Sequence, residues 1–175
     1  MVGVSPKLKR LDLAIEIFNK LWMKNSKYHL YIKGKHPYDY PWIKTKNEER
    51  IFYDSLFKYI EKLPSKKNIH FEGWSDDLSD WYRKIGYILS TSDFESFHLS
   101  VAEGMSSGAV PVVRNWNGAS DLYPSPFIFT TIDEAVKIIN KNINPSEIQT
   151  LTKSFVLKNF EKSKLLPEIE KLLTS

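Results

Sequence analysis

The feature that most constrains this chain is an alternation along its length. Short runs rich in β-branched and aromatic residues are separated by longer segments in which apolar residues recur at helical spacing. Strands separated by helices cannot close as tight hairpins, so they assemble as parallel neighbours joined by crossovers. The expected strands are 2–4, 28–33, 69–71, 87–89, 110–113 and 127–129. Between them, residues 10–24 place Leu11, Ala14, Ile15, Phe18 and Leu21 or Trp22 on one helical face, with charges opposite. Further helices are expected at 46–63, at 75–84 with Ser75 as cap and Asp76 and Asp77 in the first turn, and at 132–142, 146–158 and 164–173. The fold class is therefore α/β: a Rossmann-like open parallel sheet of about six strands with helices on both faces.

A length of 175 residues suits one domain with a real core, and residues 1–175 are read as a single unit without internal repeats. The net charge of +4 comes from 25 basic residues spread along the chain, which permits an anionic small molecule without demanding nucleic acid. The absence of cysteine excludes disulfides and thiolate chemistry. The opening MVGVSPKLKR lacks the apolar centre of a signal peptide, and no run is as long as a membrane span, so a cytoplasmic location is expected.

In an open parallel sheet the ligand lies outside the carboxyl ends of the strands. The informative loops are therefore 5–9, 35–45, 72–75, 91–98 and 114–121, and most of the unusual chemistry falls in them. The loop after the fourth expected strand leads into a segment whose Leu99, Val101, Ala102 and Met105 suit a packed helix starting near His98. The free amides and positive dipole end of that helix would point into the crevice, a site for a phosphate or diphosphate. Glu95 and Glu103 flank the start. A continuous helix would set them about 12 Å and about 80° apart, so a bend at the loop-to-helix junction is needed for them to converge. Beside an anion, carboxylates serve as acceptors for hydroxyl groups, as on a ribose or hexose. Together these features suggest a nucleotide sugar.

The same residues carry a resemblance. Glu95 and Glu103 within ESFHLSVAE form an E-x7-E pattern, followed by GMSSGAVPVV; VGVSPKLKR, LYIKGK and IHFEGW precede it in order. In these blocks the chain resembles family 4 of the retaining glycosyltransferases, specifically the C-terminal, donor-binding half of the GT-B fold. The resemblance implies that Glu95 binds the donor sugar near the reacting centre and Glu103 the ribose. It assigns the diphosphate and sugar to the segment of Ser96, Phe97, His98 and Leu99, the phosphate to Lys9, and the surroundings of the base to Gly73 and Trp74. Asn117 and Gly118, by their place after the fifth expected strand, either line the sugar pocket or make a turn. Glu95 and Lys9 are thereby the expected catalytic residues; Lys9 offsets the charge that builds on the departing nucleoside diphosphate. The donor would be a UDP-, GDP- or ADP-linked sugar, with no cofactor and no metal. His29, His36, His70 and His98 show no ligand spacing with one another along the sequence.

The pattern departs from the family at several positions. Val4 stands where the family usually carries a phosphate-binding arginine, Ser96 and His98 replace glycines, and Arg10 stands where a glycine is usual. The acceptor-binding half is expected to be absent from this chain and supplied in cis or in trans; any peripheral membrane association would reside in that other half. For several residues a plainer reading stands alongside. Lys9 also belongs to a basic run with Lys7 and Arg10, Gly73 with Trp74 and Asn117 with Gly118 also suit simple turns, and His98 either donates to phosphate or sits at the surface. Tyr38, Tyr40 and Trp42 either stack on a sugar or pack locally. At the level of the whole chain, the alternative to a working donor domain is a catalytically inactive nucleotide-binding or protein-interaction module built on the same fold.

Overall fold

The computed structural model describes residues 1–141 and 144–174. Helix α1 (Leu11–Lys24) leads to strand β1 (Leu30–Ile32), the short α2 (Pro41–Thr45), α3 (Asn47–Ile60) and β2 (Ile69–Phe71). The second half runs α4 (Ser79–Tyr82), β3 (Tyr87–Ser90), α5 (Leu99–Ser106), β4 (Val110–Arg114), α6 (Ala119–Leu122) and β5 (Ile128–Phe129). Helices α7 (Ile132–Asn140), α8 (Pro145–Phe160) and α9 (Lys162–Thr174) close the chain. The expected helix 132–142 is thus found as far as Asn140, and its last residue lies outside the described residues.

Every strand pair is parallel, which bears out the α/β class, but hydrogen bonding divides the strands into two sets, β1–β2 and β3–β4–β5. Five of the expected strands form. The first, at 2–4, is reduced to a single parallel bridge from Val2 to Lys33. Its ladder stops because Gly3 takes φ 69°, a left-handed conformation that leaves the strand path, and the Val4 carbonyl is claimed by the Tyr53 hydroxyl at 2.6 Å. The expected helix at 75–84 also shrinks to α4. Ser75 does not cap it: its hydroxyl donates to the Asp77 carbonyl at 2.7 Å, while the Asp77 carboxylate takes the Ser79 amide at 2.8 Å. Local side-chain bonds of this kind compete with helix hydrogen bonds and delay the start.

Side chains alternate across the β3–β4–β5 set, and each face has its own apolar layer. Leu89 and Val112 pack with Leu11, Ile15 and Phe18 of α1 and with Ala135 and Ile139 of α7. On the other face, Ile88 and Val113 pack with Val101 and Met105 of α5, with Tyr82, and with Trp116 and Tyr123. Helices therefore cover both faces. Among the described residues, no helix is long and apolar enough to cross a membrane.

The approach of α5 to β3 is set by Gly104, where an added Cβ would lie 2.8 Å from the Cβ of buried Ile88. Ile88 is fully buried between β3 and the α5 side chains Val101 and Met105 and cannot retreat far. Gly104→Ala is expected to destabilise the chain by about 1 to 3 kcal/mol through overpacking, despite the better helix propensity of alanine. Urea denaturation of the two proteins measures the difference.

Candidate functional site

The site is built where two loops, distant in sequence, are stitched together at the carboxyl edge of the sheet. One is a 3-10 turn, Lys7–Lys9, that enters α1 through Arg10 in a left-handed conformation, φ 51°. The other follows β3, whose end Ser90 is fully buried together with Thr91 and Ser92. The Thr91 hydroxyl lies 2.8 Å from the Lys9 carbonyl and 2.9 Å from the Arg10 carbonyl, and the Asp93 amide donates to the Leu8 carbonyl at 2.8 Å. Buried small hydroxyl residues let the loops touch through backbone atoms. Charge reinforces the seam: Arg10 forks onto Asp12 and reaches Asp93 at 3.2 Å, and Arg114, at the end of β4, also binds Asp93.

The stitching brings Lys9 and Glu95 together. The Lys9 Nζ lies 2.5 Å from Glu95 Oε1, and the Ser92 hydroxyl donates to the same oxygen at 2.6 Å. Burial alone would push the Glu95 carboxyl up; the hydrogen bonds from Lys9 and Ser92 outweigh it, and the group lies below its usual range. It is ionised at neutral pH.

His98 caps α5 with φ 56°, and its side chain turns inward: Nδ1 lies 2.7 Å from the Ser90 hydroxyl and 3.5 Å from Glu95 Oε1. Burial pushes its pKa down to about 4, against the opposing pull of Glu95. The imidazole is therefore neutral, with only 9% of its side chain exposed. The surface reading does not describe it, since the ring is buried; Nδ1 is engaged by Ser90 and Glu95, which leaves Nε2 as the ring nitrogen that could face a phosphate. The Tyr123 hydroxyl fixes the same corner, 2.6 Å from the Phe97 carbonyl and 3.1 Å from that of His98. As expected, helix α5 begins immediately after His98, and its first amides lack acceptors within the helix.

The remaining expected residues fall in separate places. Glu103, in the second turn of α5, is half-buried and accepts the Tyr82 hydroxyl at 2.8 Å, so the two carboxylates of the pattern have different partners. Ser96 and Leu99 are exposed, and Phe97 packs edge-on against Phe160 at 4.8 Å. Gly73 takes φ 64° and its carbonyl receives the Gly34 amide at 2.9 Å. Trp74, 67% exposed, shares a small pocket of about 70 Å³ with Gly3, Gly34, Lys35 and Tyr40. Gly118, at φ 98°, caps α6, and Asn117 beside it is exposed. Tyr38 and Trp42 pack locally: the Tyr38 hydroxyl donates to Asp54 at 2.6 Å, and Lys46 lies over Trp42.

Several contributors escaped the sequence reading. Tyr82, Ser92, Asp93, Arg114 and Tyr123 belong to no short motif; Ser92 acts within its own loop, and the others act on partners distant in sequence. Two of the histidines also meet in space, with His29 Nδ1 2.9 Å from His70 Nε2 across β1 and β2. Among the described residues there is no group of three or more His, Cys, Asp or Glu that could hold a metal ion.

Comparison with known proteins bears on this geometry. The profile of the family described as Glycosyl transferases group 1 matches residues 1–124. A search of the curated proteins finds no match. Among solved structures, TarM superposes with a TM-score of 0.78 at 21% identity, covering 100% of this chain and 34% of its own. Anabaena Alr3699/HepE, solved with UDP and glucose, gives 0.79 at 18% identity, over 97% of this chain and 46% of its own. The pneumococcal O-GlcNAc transferase GtfA, solved with UDP and GlcNAc, gives 0.73 at 13% identity, over 99% and 35%. The fold is that of one half of these GT-B proteins, and this chain spans less than half the length of each.

The His98 environment predicts a pH dependence. Its folded pKa of about 4 lies below the ordinary 6.5, so the unfolded chain binds the extra proton first as the solution is acidified. The contribution of His98 to stability is complete above about pH 6.5 and is lost as pH falls toward 4. His98→Asn, which tolerates the left-handed backbone but does not titrate, should remove about 2 to 3 kcal/mol of the stability difference between pH 7 and pH 4.5. Urea denaturation at the two pH values reads it; identical pH dependence in both proteins contradicts the assignment.

Proposed function

This chain belongs to the group 1 glycosyl transferases, and from that membership we propose that it is the donor-binding domain of a retaining glycosyltransferase acting on a nucleotide-diphosphate sugar. The observation that carries this reading is the Lys9–Glu95 pair, held at the carboxyl edge of the sheet beside the start of α5. Within it, a cation for phosphate and an acceptor for sugar hydroxyls are already adjacent. In the free site each neutralises the other. A sugar diphosphate replaces that single contact with two: Lys9 turns to the phosphate and Glu95 accepts from a sugar hydroxyl. As the bond to the anomeric carbon breaks, negative charge grows on the diphosphate, and Lys9 together with the α5 amides stabilises it.

The other assignments follow the same division. Glu103 accepts from the ribose, the turn at Gly73 and Trp74 lies beside the base, and Ser96, Phe97, His98 and Leu99 supply backbone at the diphosphate and sugar. Asn117 and Gly118 line the sugar side. UDP is the favoured nucleotide, because HepE and GtfA were solved with it. No metal is required, since the compensating charge is lysine's. The proposed location is the cytoplasm, and the acceptor is held by a further domain.

A second reading, nucleotide binding without catalysis, is favoured by two features. Val4 is 2% exposed where a phosphate-binding arginine is usual, and Ser96 stands at the position of a glycine. Calorimetric titration with UDP, GDP, ADP and their sugars tests both readings. Binding of UDP and its sugar conjugates supports a donor site, and no binding to any nucleotide refutes it.

The two carboxylates should respond differently to truncation. Glu103→Ala is expected to weaken UDP by about 1 to 3 kcal/mol through lost hydroxyl contacts. Glu95→Ala should weaken a UDP-sugar more than UDP itself, because it removes a sugar contact while freeing Lys9 for the phosphates. Equal losses for the two ligands in Glu95→Ala contradict the sugar role.

A further inference from the structure

We propose that Tyr82 is a positioning residue that anchors one oxygen of Glu103, leaving the other for the ribose, and thereby sets the chain's preference for ribonucleotides over 2′-deoxyribonucleotides. The inference rests on the reading of Glu103 as the ribose carboxylate.

Tyr82 is 3% exposed and packs in the apolar layer with Ile88, Val101 and Met105, so its ring cannot move to suit a ligand. Its hydroxyl donates to Glu103 Oε2 at 2.8 Å. Among the described residues, Oε1 of Glu103 has no hydrogen-bond partner. Burial, and then the neighbouring carboxylate, push the phenol far above its usual range, so it remains a donor at any working pH. Behind it, Trp81 stands edge-on to the Tyr82 ring with centroids 5.3 Å apart, and the Trp81 indole N–H donates to Glu72, the residue before Gly73. One short segment therefore ties the turn proposed for the base to the carboxylate proposed for the ribose.

The consequence concerns selectivity. A ribose offers a vicinal pair of hydroxyl donors. A carboxylate with one oxygen already fixed has little rotamer freedom left to lose on binding them. A site built in this way to accept a hydroxyl discriminates against an analogue that lacks it, because a desolvated acceptor is then left unpaired. Without its anchor the carboxylate is free to swing into water, and loss of the 2′-hydroxyl matters less.

Calorimetric titration of the chain with UDP and 2′-deoxy-UDP tests this. The wild type should prefer UDP by about tenfold or more, and Tyr82→Phe should bring that ratio to within about threefold. In a Glu103→Ala background, where the ratio is already lost, Tyr82→Phe should change it no further. If Glu103→Ala keeps the wild-type ratio, or the wild type binds both nucleotides equally, the ribose reading fails and the role of Tyr82 with it. If Glu103→Ala abolishes the ratio but Tyr82→Phe preserves it, or weakens both nucleotides by one common factor, the positioning role alone is overturned. Should melting show that Tyr82→Phe does not fold, Glu103→Asp serves instead. Its shorter arm cannot both hold the Tyr82 hydroxyl and reach the ribose, so the ratio should collapse, and an unchanged ratio overturns the proposal.

Discussion

The arrangement at the carboxyl edge depends on the contact between the Thr91 hydroxyl and the carbonyls of Lys9 and Arg10. These carbonyls belong to the turn that ends before α1, and the hydroxyl to the residue just beyond β3. Through this contact, residues more than eighty positions apart share one backbone surface. Thr91 is fully buried, so its hydroxyl has no water to fall back on, and the contact must be made whenever the chain is folded. Lys9 and Glu95 inherit their separation from it. Asp93, whose Oδ1 is held by both Arg10 and Arg114, keeps the rest of the loop from sliding.

Much of the fold was legible because it rests on periodicity. The apolar face of α1 was readable from Leu11, Ala14, Ile15, Phe18 and Leu21, and all five are buried. The start of α5 after His98 was likewise visible in the change from small polar residues to an apolar segment. Strand 2–4 and the helix at 75–84 were misjudged for a common reason: their propensities were adequate, but a specific competitor intervened. Gly3 bent the backbone and Tyr53 captured the Val4 carbonyl in the one case, and Asp77 captured the Ser79 amide in the other. Of the site, the residue types were legible and the pairings were not. A lysine in a basic run reads as solvated until the sheet places it on Glu95, and nothing near Glu103 in sequence announces Tyr82.

The two carboxylates of the E-x7-E pattern illustrate how the environment divides roles between identical chemical groups. Glu95 stands in a self-neutralised cluster in which Lys9 and Ser92 converge on a single oxygen. Under the proposed reading a ligand there would exchange partners with the protein, so affinity at this end would be the difference between two sets of charged contacts. Glu103 meets a neutral donor whose geometry is fixed by packing, and under the proposed reading a ligand would add to that contact without displacing it. On that reading selectivity would be more readily built at Glu103, and response to charge at Glu95.

His98 shows how a side chain can occupy a backbone conformation that favours glycine. A glycine at the helix start would take a left-handed conformation freely, whereas a side chain there costs on the order of 1 kcal/mol. His98 nevertheless adopts φ 56°, and its ring finds compensation inward, in a hydrogen bond with buried Ser90 beside Glu95. Ser90 in turn gains a partner it would otherwise lack at the end of β3, so strain at the cap and satisfaction of a buried hydroxyl are coupled. His98 thus opens α5 in a left-handed turn and sets a neutral, buried group against the Glu95 carboxylate. Because that ring stays uncharged at neutral pH, it stiffens the Glu95 corner without competing with Lys9 for its charge.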